Sequence, residues 1–131
     1  MELHLKIIGS ILLLLALVHV IFPKYFNWKQ ELSTLSLINK EVMYVHTFFI
    51  ALVIFLIGLL CVFYPHEICS TSLGKAIALG LFIFWFCRLL FQFFVYSSSL
   101  WKGKKFETFV HVVFSFLWSY ISLIFFLVCW N

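Results

Sequence analysis

The chain has 131 residues, 65% hydrophobic and only 11% charged, with a mean hydropathy of +1.14. That composition excludes a soluble globular domain and leaves no polar stretch long enough for a separate one, so a single membrane domain over 1–131 is expected. The net charge of +4 rests on nine basic residues. All but Arg88 lie near expected span ends, which fits orientation in a bilayer rather than nucleic-acid binding.

In chain order, residues 3–22 form the first expected span. It is long enough to cross a hydrocarbon core of roughly 30 Å. A cleaved signal peptide is the competing reading, but the run is long for one and no small-x-small site follows it. Gly9, Leu12, Ala16 and His19 share a face, which suits close packing against a neighbouring helix. Pro23 is expected to close this helix.

The segment 23–41, PKYFNWKQELSTLSLINKE, is the one long connection. Tyr25, Phe26 and Trp28 form an aromatic group of the kind found at headgroup level. Trp28, Leu32, Leu35 and Ile38 recur at helical spacing, predicting a short amphipathic helix in the interface. A docking surface for a partner is the functional alternative.

Residues 42–64, 76–96 and 106–130 are the remaining spans, joined by a polar turn (65–75) and a tight basic loop (97–105). The expected fold is all-α, an integral membrane four-helix antiparallel bundle with the short interfacial helix after its first span. Lys24, Lys29, Lys40, Lys102, Lys104 and Lys105 fall in the connections after spans one and three. Lys6 and Lys75 fall on the other side. The positive-inside rule then puts both termini outside and the basic loops in the cytoplasm. The chain resembles small bacterial inner-membrane proteins in size and compactness.

The polar residues inside the spans carry the functional expectation, because ionisable groups in hydrocarbon are costly. His19, His46, Gln92 and His111, one per span, fall roughly 5–8 Å below the same interface at 1.5 Å of rise per residue. Arg88 lies one turn deeper than Gln92, and Glu107 one turn above His111.

Neutral imidazole is a common metal ligand, so His19, His46 and His111, with Glu107, are candidates to hold Zn, Fe or Cu. Two of the histidines could instead ligate a haem from both sides. Arg88 and Gln92 would then be supporting partners, and Glu107 a ligand or an orienter of His111. No CxxC, HExxH or haem-attachment motif is present. The alternatives are a purely structural network in an accessory or assembly subunit of a larger membrane complex, and a proton or small-anion transport component. Beyond the lipid bilayer, a homo-oligomer or a larger complex is the expected partner.

Cys61, Cys69 and Cys129 fall at the outer helix ends, where an oxidising compartment would allow a Cys61–Cys129 or Cys69–Cys129 disulfide. Quinone-linked disulfide-forming enzymes share the four spans and outward cysteines but carry a CxxC pair that this chain lacks. Cys87, at mid-span, is expected to be a small apolar packer.

Overall fold

A computed structural model describes all 131 residues. The fold is all-α, and four of its helices are long and apolar enough to cross a membrane, which marks the chain as an integral membrane protein. By internal contacts the chain divides into two compact units, Leu3–Pro65, and Met1–Glu2 together with His66–Asn131.

The first unit holds α1 (Glu2–Tyr25), α2 (Trp28–Glu31) and α3 (Leu37–Phe63). Pro23 does not close α1, contrary to expectation. It sits in the last turn, where it deletes only the N–H that would have met the His19 carbonyl. The amide of Phe26 still donates to the Phe22 carbonyl at 2.9 Å. The stop is Asn27, at φ 50° in the left-handed region that asparagine tolerates.

The expected amphipathic helix is shorter than its periodicity suggested. Only the single turn of α2 forms, and Ile38 belongs to α3. Trp28 is buried and packs edge-on against Tyr44, so it anchors this connection to the start of α3.

α1 and α3 approach closely at Gly9 and Gly58. A Cβ on Gly9 would come within 2.7 Å of the Gly58 carbonyl oxygen, and one on Gly58 within 3.0 Å of the Gly9 carbonyl oxygen. Glycine is required on both sides, and the close backbones gain dispersion contacts that lipid does not supply. Leu5, Ile8, Leu12 and Ala16 are buried beside Gly9, as the shared face predicted.

The second unit holds α4 (Pro65–Ser70), α5 (Ser72–Phe94) and α6 (Lys105–Trp130). The polar turn expected at 65–75 is therefore mostly helical. Pro65 suits a first helical position, since its missing N–H would have had no partner. Thr71 then starts α5, its hydroxyl accepting from the Gly74 amide at 2.9 Å. Such a cap contributes about 1 kcal/mol. Gly74 lets the chain fold this tightly, because a Cβ there would collide with the Glu67 carbonyl oxygen and the Ile68 Cα.

α5 and α6 are antiparallel neighbours, pairing Trp85 with Trp118 at one level and Phe82 with Phe126 further along. Their loop contains a 3-10 turn (Ser98–Leu100) and Gly103 at φ 79°. The Thr108 hydroxyl donates to the Trp101 carbonyl at 2.7 Å and ties the loop down on α6.

All four cysteines are free thiols, so neither of the two disulfides that the sequence allowed is formed. Cys61 is buried, and the Cys129 thiol donates to the Phe125 carbonyl. Cys87 is exposed on α5 and does not pack inside, because the buried face of that helix runs through Ala78, Trp85 and Gln92.

Candidate functional site

Between α5 and α6, three of the expected polar residues form one hydrogen-bonded chain. Arg88 Nη1 donates to Gln92 Oε1 at 3.2 Å, and Gln92 Nε2 lies 2.8 Å from His111 Nδ1. Arg88 and Gln92 are one turn apart on α5, so their meeting follows from helical spacing. Gln92 and His111 meet because antiparallel packing brings their levels together. Gln92 is only 7% exposed.

The chemistry of this chain fixes its proton positions. A guanidinium can only donate, so the Gln92 oxygen must face Arg88. The amide nitrogen then faces His111 and donates to Nδ1, which leaves the proton of the neutral ring on Nε2. Nε2 carries no hydrogen bond and is not sealed in the core.

Aromatic rings enclose the chain. The Arg88 guanidinium lies over Trp118 at 5.2 Å and Tyr96 at 5.4 Å from the ring centroids. Trp101 stacks on the His111 imidazole, centroids 3.8 Å apart and planes inclined by 11°. Trp85 stacks on Trp118 at 5.0 Å.

Arg88 thus finds internal partners, as expected for a cation too deep to reach the headgroups easily. Glu107 is not among them. It is exposed, and Gln92 orients His111 in its place. Sequence reasoning missed Trp101 and Trp118. Trp118 lies two turns from His111 on α6 and could have been found by spacing, whereas no local signal places the loop residue Trp101 over the ring.

The first unit contains the other two histidines. His19 Nδ1 donates to the Leu15 carbonyl at 2.8 Å, and His46 Nδ1 donates to the Val42 carbonyl at 2.9 Å. A carbonyl can only accept, so both neutral rings carry their proton on Nδ1 and present a free lone pair on Nε2. This is the tautomer used by metal-ligating histidines.

The Gly9–Gly58 contact also sets their level. His19 lies ten residues after Gly9, and His46 twelve before Gly58 on the antiparallel partner. The two levels differ by about 3 Å. At 100° per residue both project to one flank of the α1–α3 pair. His19 is half-buried against Phe22, while His46 is exposed.

Neither unit brings together three His, Cys, Asp or Glu side chains placed to share a metal ion. A further pairing, which sequence reasoning did not anticipate, joins His66 and Glu2 at 2.9 Å, far apart in sequence but within one unit. The hydrogen bond and charge of Glu2 hold the His66 pKa above its ordinary value.

Four apolar spans and an interhelical polar chain define the class, a small helical integral membrane protein. Compared with protein-family models, curated proteins and solved structures, the chain matches none.

Proposed function

We propose that this chain is a membrane haem protein in which His19 and His46 supply the two axial nitrogens. One observation carries this reading: the two imidazoles share a level, a flank and the Nδ1–H tautomer, leaving both Nε2 lone pairs available. Haem iron accepts two neutral imidazoles, and helical bundles seat such groups between helices.

Bare Zn, Fe or Cu is less suited, because it asks for three or four ligands and neither unit offers three. His111 is set aside as a ligand in this reading, since Gln92 occupies Nδ1 and the proton sits on Nε2. Glu107 is set aside with it. Arg88 and Gln92 hold their own hairpin rather than the cofactor. Lys24 and Lys40, toward the same end of the first unit, are the cations available to haem propionates.

By the distribution of lysines the haem would lie near the cytoplasmic face of a bacterial inner membrane, with both termini outside. A haemin titration of the purified chain in mild detergent tests the reading. A stoichiometric, six-coordinate low-spin spectrum is expected. A five-coordinate spectrum, or no change in the Soret band, contradicts it.

A second reading, the non-catalytic accessory subunit of a larger complex, is favoured by the Arg88–Gln92–His111 chain, whose members find their partners within the α5–α6 hairpin. Proton transport is disfavoured by the same chain. The Gln92 amide interrupts any line from His111 to Arg88, having no readily titratable proton to pass on.

A further inference from the structure

The surface of α6 outside the polar chain carries two shallow grooves that meet at Val112. One, of about 290 Å³, is lined by His111 with Phe93, Val112 and Phe116, and by Ser115 and Ser119. Both serine hydroxyls turn back onto their own helix, Ser115 to the His111 carbonyl at 2.7 Å and Ser119 to the Ser115 carbonyl at 2.8 Å. The groove is therefore apolar apart from one group, the imidazole, whose Nε2–H is accessible and unpaired.

The second groove, of about 600 Å³, is lined by Lys104, Lys105, Thr108 and Phe109 as well as Val112. The Thr108 hydroxyl is engaged by Trp101, so the two ammonium groups are the polar features left to a ligand. Neither lysine is paired with a carboxylate, in contrast to His66 with Glu2.

Along α6 the features run in a fixed order: two cations at the helix end, one N–H donor about 9 Å further into the span, then apolar wall. An anionic glycerophospholipid presents the complementary order of phosphate, ester carbonyl and acyl chain. We infer that these grooves form one site for an anionic phospholipid, with Lys104 and Lys105 on the phosphate, His111 Nε2–H on an ester carbonyl, and an acyl chain along Val112 and Phe116. The proton lies on Nε2 because Arg88 orients Gln92 and Gln92 occupies Nδ1, so the buried chain sets the donor that the surface site uses. A basic cluster at a membrane edge attracts anionic lipid on charge alone. The added claim is a defined site with a carbonyl contact.

Native mass spectrometry of the full chain, delipidated in nonionic detergent and titrated with phosphatidylglycerol or phosphatidylcholine, tests this. One phosphatidylglycerol is expected to bind on the order of tenfold more tightly than phosphatidylcholine. The paired change Lys104→Gln, Lys105→Gln lies on the exposed surface and is expected to abolish that preference. The control pair Lys6→Gln, Lys29→Gln, in the other unit, is expected to keep it. His111→Phe is expected to weaken both lipids while leaving the preference.

Equal binding of the two lipids overturns the site. So does a preference that survives the Lys104/Lys105 change or disappears equally in the control pair. Lipid affinity unchanged by His111→Phe overturns the carbonyl contact, and displacement of the lipid by inorganic phosphate would make the ligand a free anion instead.

Discussion

Arg88 illustrates how a charge within a membrane-spanning helix is retained at little net benefit. It has one hydrogen bond, worth about 0.6 kcal/mol within a membrane, and two cation–π contacts worth about 0.5–2 kcal/mol each. Removing a central charge returns about 2.5–3.5 kcal/mol on insertion scales. The terms nearly cancel, so Arg88→Met is expected to leave stability in detergent within about 1 kcal/mol of the native chain, as read by thermal unfolding. Gln92→Leu is expected to be worse, by about 1–2 kcal/mol, because it strands both Arg88 and His111 Nδ1. If Arg88→Met is the more damaging of the two, the order of dependence in the chain is wrong. Ser122 is buried on α6 with no partner for its hydroxyl, so Ser122→Ala is expected to be neutral or stabilising by up to about 1 kcal/mol. At this scale the sequence was informative where helical spacing decides. It paired Arg88 with Gln92 but could not foresee that Trp101, from a loop, would cover His111.

Helix positions were legible from hydropathy, and their ends were not. Pro23 lies in a last turn, where one lost hydrogen bond is tolerated. Leu35 and Ile38 follow a helical period without belonging to one helix, because the chain breaks between α2 and α3. Close packing was readable from small residues, and its consequences can be graded. Gly9→Val forces a side chain against the Gly58 carbonyl and is expected to destabilise by about 1–3 kcal/mol. Gly74→Ala meets backbone on α4 and is expected to cost at least as much. Gly80→Ala, on the same α5 helix, meets open space and is expected to stabilise by about 0.5–1 kcal/mol through helix propensity alone. Chemical unfolding of the three variants checks the ranking, and a Gly74→Ala as stable as Gly80→Ala would contradict the tight α4–α5 turn.

Across the molecule, contacts distant in sequence are the ones that reading the chain could not supply. His66 and Glu2 are joined only once the chain has folded. Because Glu2 raises the His66 pKa in the folded state, the pair's contribution is complete below the ordinary imidazole value and is lost as pH rises through the raised one. Melting curves from pH 5 to 9 are expected to show this dependence in the native chain and not in His66→Gln. The common level of the four polar residues, inferred from antiparallel spans, holds within each unit: Gln92 touches His111, and His19 lies at the level of His46. The choice of His19 and His46 in the proposed haem reading depended on the tautomers, which spacing alone does not reveal.

The most direct test of the haem reading is the absorption spectrum of the chain and of His19→Ala, His46→Ala and His111→Ala, each purified from haem-supplied cells. The account predicts a low-spin Soret band in the native chain, kept in His111→Ala and lost or shifted to five-coordinate in the other two. A colourless native protein, or a band that depends on His111 and not on His19 and His46, would contradict it.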